Sequence, residues 1–137
     1  IFTIGLVFIY WGPIHGIKDR VTNRSIDYSV NEKEVADYIH QHTNEQDRIY
    51  SHRLNGIIYL YSERLSSTKF FFVPSLKDET PIIDSFKESF KMNPPKYIVF
   101  DSKWDYGRLT DSFIKELIQK NYHEEKQIDT MKIYKIN

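Results

Sequence analysis

Short β-rich runs alternate with longer segments of helical periodicity along most of this chain. Residues 69–73 and 96–100 are apolar runs of strand length, and residues 47–51 form a short β-rich run that follows a polar turn. The stretches between them are long enough for helical crossovers, which join parallel strands in a right-handed sense. The pattern predicts an α/β fold, a three-layer sandwich with a mostly parallel sheet.

The intervening segments carry helix signals at their starts. Ser29 and Glu32 have the spacing of a capping box, and Thr80 precedes a proline at a first helical position. Thr110 is placed to cap a further helix, with Asp111 favouring its positive end. We predict helices over residues 30–39, 57–64, 81–93 and 111–121. The tail, residues 122–128 and 131–136, is predicted to form a C-terminal antiparallel hairpin at the sheet edge.

The first part of the chain differs in composition from the rest. Residues 1–14 carry no charge, which fits two alternatives: the outer end of a truncated transmembrane helix, or an apolar arm packed on the domain. We therefore divide the chain into an apolar segment 1–16, a connecting segment 17–28 and a soluble α/β domain 29–137.

Charge and cysteine content exclude several classes of function. The 19 Lys and Arg residues balance the 19 Asp and Glu residues, so we expect no nucleic acid partner. The chain has no cysteine, which excludes thiolate catalysis and cysteine-bound zinc. No glycine-rich phosphate loop or metal-binding histidine pair occurs in the sequence, so we expect no cofactor and no metal.

A weak ligand-binding site is predicted where the loops after two strands meet. Asp101 and Asp105 follow the strand 96–100, at the strand end where open α/β sheets bind ligands. Trp104 and Tyr106 offer stacking faces beside these acids, and Arg53 follows the first strand. Asp is also an ordinary loop and capping residue, so these acids have a purely structural alternative. No set of residues is placed for catalysis.

Three segments together resemble one known group of enzymes. They are residues 35–50, residues 56–64 (GIIYLYSER), and residues 69–74 with 95–101 (PKYIVFD). Their order is similar to the C-terminal extracytoplasmic domain of GT-C fold glycosyltransferases, which include dolichyl-phosphate-mannose protein mannosyltransferases and bacterial lipid A aminoarabinose transferases. Glu63 stands where that family often has glycine.

The resemblance implies a non-catalytic accessory domain of a polytopic membrane enzyme that transfers a sugar from a polyprenyl-phosphate carrier to an acceptor. The domain would be periplasmic or otherwise extracytoplasmic. Its partners would be the membrane domain of the same polypeptide and, in addition, the acceptor or the lipid-linked sugar. Two other functions remain open: a stand-alone protein that binds a small molecule or nucleotide, and a protein-interaction module. The sequence does not fix the oligomeric state.

Overall fold

The structure is a computed structural model that describes residues 30–53, 56–70 and 80–137. The segments 1–16 and 17–28 lie outside the described residues, so neither alternative for residues 1–14 is tested. The described helices are α1 (Val30–His42), α2 (Ile57–Ser62), α3 (Thr80–Met92) and α4 (Leu109–Asn121). The described strands are β1 (Arg48–His52), β2 (Leu65–Ser66), β3 (Tyr97–Asp101), β4 (Tyr122–Ile128) and β5 (Met131–Ile136).

The strands form one mixed five-stranded sheet in the order β2-β1-β3-β5-β4. β1 pairs with β2 and β3 in parallel, whereas β5 pairs with β3 and β4 in antiparallel. The antiparallel ladders are the longer ones, because β2 contributes a ladder of only two residues. The prediction of a mostly parallel sheet sandwich is therefore wrong, since the hairpin enters the sheet through β5 and turns half of it antiparallel.

Helices cover both faces of this sheet, and each face has its own apolar core. On one face, α1 and α2 contribute Val35, Ile39 and Ile58, which pack with Ile49, Tyr97, Val99, Ile128, Met131 and Ile133. On the other face, α3 and α4 contribute Phe86, Phe90 and Ile114, which pack with Tyr50, Ile98, Phe100 and Tyr122. Alternate side chains of β1 and β3 point into opposite cores, which explains why β3 is an almost continuous apolar run.

The second strand is not where the sequence predicted it. The structure places β2 at Leu65–Ser66, while Lys69 and Phe70 lie in irregular chain beyond it. Residues 71–73 of the predicted strand lie outside the described residues. An apolar run before a proline is consistent with a buried strand, but periodicity alone does not exclude other buried conformations.

The hairpin puts β5 inside the sheet and β4 at its edge. β4 reads YHEEKQI and is exposed or half-buried along its middle residues. Its pairing with β5 is interrupted by an irregularity between Glu124 and Lys126. Tyr38 of α1 and Tyr97 of β3 both donate hydrogen bonds to Glu125, at 2.8 and 3.2 Å, so this edge strand is tied to the helix above it.

Candidate functional site

The carboxyl ends of β1 and β3 meet at one edge of the sheet, as open α/β folds predict. Arg53 follows β1, and its guanidinium lies 5.3 Å from the ring centroid of Tyr106. The rings of Trp104 and Tyr106 make an edge-to-face contact with centroids 6.4 Å apart. The structure therefore brings three of the five sequence-predicted residues together.

The two predicted acids, Asp101 and Asp105, instead accept hydrogen bonds from backbone amides of their own loop. Asp101 is 5% exposed, and its carboxylate accepts a hydrogen bond from the Lys103 amide at 2.9 Å at the start of a 3₁₀ turn. Asp105 accepts a hydrogen bond from the Gly107 amide at 3.1 Å and forms an ion pair with Lys115. The hydrogen bond from Lys115 lowers the pKa of Asp105 against the opposing effect of burial. These contacts are those of turn and cap residues rather than of a ligand site.

A buried ionic cluster that sequence reasoning missed lies beneath the aromatic rings. Asp111 is fully buried, and its Oδ1 accepts hydrogen bonds from Arg53 Nε at 2.6 Å and from His52 Nε2 at 2.7 Å. Its Oδ2 accepts the backbone amides of Arg108 and Tyr106, at 2.9 and 3.1 Å. Both carboxylate oxygens are thus satisfied, and the cluster joins the end of β1 to the first turn of α4.

The protonation states follow from this geometry. Burial is the largest influence on Asp111 and raises its pKa, but the hydrogen bonds from Arg53, His52 and Arg108 together outweigh it and lower the pKa to about 2. Burial lowers the pKa of His52, and Asp111 opposes that shift only in part. His52 is therefore neutral at pH 7, donating through Nε2 and accepting from the Tyr50 hydroxyl, 3.2 Å from Nδ1.

One feature of the sequence pointed to part of this buried cluster, namely the acid at position 111. Asp111 was interpreted as an acid near a helix start, but Thr110 was predicted to be the cap. Instead α4 begins at Leu109, Asp111 lies in its first turn, and Thr110 Oγ1 accepts a hydrogen bond from Arg53 Nη2 at 3.3 Å. Asp111 meets His52 only because α4 packs against the end of β1. The spacing of residues along the sequence does not predict such a long-range contact.

The cluster is not arranged for catalysis. The His52 side chain is only 1% exposed, and its ring stacks on Phe100 with centroids 5.2 Å apart. Neither ring nitrogen has a serine or threonine hydroxyl as its hydrogen-bond partner among the described residues. Those residues also contain no group of three or more His, Asp or Glu that could hold a metal ion.

A second candidate site is a groove of about 640 Å³ between α3 and α4, near the amino ends of β3 and β4. Its floor and walls are mainly apolar, with Phe90 and Tyr122 at the bottom and the half-buried Phe113 and Leu117 on the α4 side. Pro94 and Ile136 complete the apolar lining. We call this feature the α3–α4 groove.

The margin of the α3–α4 groove is mostly basic. Lys87 and Lys91 of α3 and Lys120 of α4 line it, together with one acid, Glu116. Lys120 pairs with Glu116 at 2.6 Å, and Lys91 pairs with Glu88 at 3.2 Å, both within one helix. Lys87 has no ion pair within the part of the chain that the structure describes, and its ammonium lies 5.8 Å from the Phe113 ring centroid.

Fold and sites together define a small α/β domain with open binding surfaces and, among the described residues, no assembled catalytic group. Residues 29–137 match the family described as "Putative competence-induced protein Ccs4 C-terminal domain". Because this match covers most of the chain, the chain belongs to that family. No curated protein matches the chain, and no solved structure matches it.

The family match corrects the resemblance to GT-C glycosyltransferases, which was wrong. The segments that carried the resemblance consist largely of core residues, such as Val35, Ile49 and Val99, which many α/β domains share. The assignment of this chain to a glycosyltransferase family falls with it. Within the described ranges, the structure contains no helix long and apolar enough to cross a bilayer.

Proposed function

We propose that residues 29–137 form a non-catalytic protein-binding module whose α3–α4 groove binds an acidic, amphipathic segment of a partner protein. The observation that carries this proposal is the groove itself: a cavity of about 640 Å³ with an apolar floor and a lysine margin. The buried cluster at the opposite edge of the sheet is satisfied internally, which favours a structural role for it over ligand binding.

The apolar lining supports a peptide occupant. Phe90 and Tyr122 are 4% and 7% exposed, so they form a firm floor, while Leu117 and Phe113 are only half-buried on the wall. Apolar side chains spaced three or four residues apart on a helix enter such grooves along one face. Burial of the half-exposed wall residues by the partner supplies the favourable free energy of binding.

The charges of the margin favour an acidic occupant. The lining of the groove contains three lysines and only one glutamate. The pairs Lys91–Glu88 and Lys120–Glu116 are exposed and screened by solvent, so partner carboxylates can compete for these lysines at little cost. Lys87 can accept a carboxylate without breaking any ion pair among the described residues.

The chain's own apolar segment is a less favourable occupant. Residues 1–14 carry no charge, so they offer nothing to the lysines of the margin. A second copy of the chain remains an outcome of the test, because association would appear as a change in solution mass without added peptide.

The test uses the full chain and a designed helical peptide of about four turns, with leucines along one face and glutamates beside them. A second peptide replaces every glutamate by lysine. Titration followed by amide chemical shifts is expected to give binding of the acidic peptide, with shifts centred on Lys87, Phe113 and Leu117. The lysine peptide is expected to bind at least roughly ten-fold more weakly, because it meets like charges.

Variants separate the contribution of charge from that of the apolar wall. Lys87→Glu combined with Lys120→Glu alters only exposed charges and is expected to reverse the preference between the two peptides. Leu117→Ser is expected to weaken both peptides, whereas Leu60→Ser, on the exposed surface of α2, is the matched control that changes neither. Equal binding of both peptides, or shifts located away from the groove, would rule out the proposed function.

A further inference from the structure

The two helices that form the α3–α4 groove run in the same direction. α3 ends at Met92, shortly before β3 begins, and α4 starts only after β3 has ended. α4 ends at Asn121, directly before Tyr122, and the Tyr122 hydroxyl donates a hydrogen bond to the Pro95 carbonyl at 2.7 Å. The carboxyl-terminal ends of both helices therefore lie together near the amino end of β3. They form one end of the groove, which we call the Pro94 end.

The Pro94 end carries partial negative charge. The aligned peptide dipoles of a helix leave their negative pole at its carboxyl terminus, and two such poles adjoin here. A helical carbonyl bonds the amide four residues further on, which for Phe90 is that of Pro94. Proline has no N–H, so the Phe90 carbonyl receives no such donor, and the same holds for Lys91 and Pro95. Hydrogen-bond acceptors are therefore concentrated at this end.

Two lysines stand beside these carbonyls. Lys91 lies in the last turn of α3 and Lys120 in the last turn of α4, and both line the groove. Their side chains are 74% and 66% exposed, so a partner can reach them. The Pro94 end thus offers two kinds of group to a ligand: backbone carbonyls for N–H donors, and ammonium groups for carboxylates.

The amino end of an α-helix matches both kinds of group. Its first N–H groups have no acceptor within the helix, and it carries partial positive charge. Acidic side chains are stabilised in the first turn of a helix for the same reason. A helix in this orientation brings free amides to the carbonyls and first-turn carboxylates to Lys91 and Lys120. The reverse orientation would add a third negative pole and more unpaired carbonyls to the two poles already present.

On the basis of the proposed function, we infer that the partner segment is a helix with its acidic residues in the first turn. It binds antiparallel to α3 and α4, with its amino end at the Pro94 end of the groove. The acidic character of the partner is then needed at one end only. The rest of its length contributes the apolar face that enters the groove.

The test uses the full chain and two peptides of about four turns that have the same composition and the same leucine face. One peptide carries its glutamates in the first turn, and the other carries them in the last turn. Each peptide is prepared with a nitroxide spin label on a cysteine added at its amino end or at its carboxyl end. Because the chain itself has no cysteine, the label stays on the peptide.

Amide signals of the chain report the orientation of the peptide that is acidic in its first turn. We expect a label at the amino end of this peptide to broaden the signals of Asn121 and Asn137, which line the Pro94 end, more than those of Lys87 and Phe113. A label at the carboxyl end is expected to give the reverse pattern.

Affinity gives an independent measure. The peptide that is acidic in its first turn is expected to bind roughly five-fold more tightly than the other peptide. First-turn glutamates also raise the helicity of the free peptide, so the ratio of the two affinities is compared between variants of the chain. Lys91→Gln with Lys120→Gln should lower this ratio by at least roughly two-fold.

The matched control is Lys115→Gln with Lys132→Gln. It also removes two lysines that pair with acids, but these lysines lie outside the α3–α4 groove, so the affinity ratio should not change.

The outcomes separate this inference from the function on which it rests. Both peptides could bind in the groove with the amino-end label nearest Lys87 and Phe113, or with equal affinity ratios in the two double variants. Either result overturns the inference and leaves the proposed function in place. If neither peptide shifts the amide signals of the groove, both are overturned.

Discussion

At the level of single residues, the buried Asp111 connects the end of β1 to the start of α4. Its carboxylate accepts hydrogen bonds from His52 at the end of β1, from Arg53 just after it, and from the amides that lead into α4. We expect Asp111→Ala to lower the free energy of unfolding by about 3–5 kcal/mol, because it leaves the buried Arg53 charge without its carboxylate. Urea unfolding followed by circular dichroism measures the change.

The matched control for that substitution is Asp105→Ala. Asp105 also pairs with a cation, but its partner Lys115 is about half exposed, so solvent screens the pair. We expect a loss below about 1 kcal/mol for this variant. Equal losses for the two variants would contradict the view that burial makes Asp111 important.

The lowered pKa of His52 predicts that the fold is less stable at acidic pH. Burial lowers its pKa in the folded state, so the unfolded chain binds a proton more readily below pH 6.5. The free energy of unfolding should therefore fall as the pH drops below 6.5. Asp111 adds a further loss of stability near pH 2–4, because its pKa of about 2 in the folded state lies below the 3.8 of an unperturbed Asp carboxyl.

The measurement compares unfolding free energies at several pH values between 5 and 7.5 for the parent and for His52→Gln. Glutamine keeps a hydrogen-bond donor and an acceptor but does not titrate. The free energy of unfolding should therefore change less steeply with pH in this variant. His123→Gln, at an exposed position of β4, is the control for the replacement of a histidine by glutamine. An unaltered slope in His52→Gln would exclude His52 as its origin.

At the level of elements, the end of α2 contains a residue in a costly backbone conformation. Glu63 follows α2 with φ 55° and ψ 36°, the left-handed conformation that glycine adopts most easily at a helix end. We expect Glu63→Gly to raise the free energy of unfolding by about 0.5–1 kcal/mol. Glu63→Ala, which keeps the strain and loses the side chain, should give no gain in the same urea measurement.

The sequence predicted the helices and strands that have a capping residue or an apolar run of their own. The spacing of Ser29 and Glu32 and the apolar run of β3 placed α1 and β3 close to their observed bounds. β2 was misplaced because its two residues carry no periodicity. Arg53 and Tyr106 were expected to meet at the carboxyl edge and do so, but His52 and Asp111 were missed because their contact spans 59 positions of sequence.

For the whole molecule, strand direction was the property that the sequence could not supply. Apolar runs show that a strand is buried on both faces but not which way its neighbour runs. The pairing of Tyr97–Asp101 with the C-terminal hairpin depends on where β5 packs after α4 has crossed the sheet. The α3–α4 groove was also not predicted, because it depends on the spacing between two helices rather than on either helix alone.

The sheet order predicts a gradient of local stability. β3 lies between β1 and β5, and all five of its residues are buried. Its amides should therefore exchange with solvent most slowly, close to the rate set by global unfolding, whereas those of the two-residue β2 should exchange far faster. Hydrogen exchange followed by nuclear magnetic resonance measures both, and equal protection of β2 and β3 would contradict this order.

The character of the two outer strands limits how copies of this protein can associate. β4 presents His123, Glu124, Glu125 and Lys126 along its length and is irregular at the point where another strand would have to align. β2 offers only two residues as a template. Charge and irregularity at a sheet edge oppose the stacking of strands from different molecules into amyloid-like ribbons. The domain is thereby protected against aggregation through its sheet at high concentration, while its helical and aromatic surfaces stay open to specific contacts.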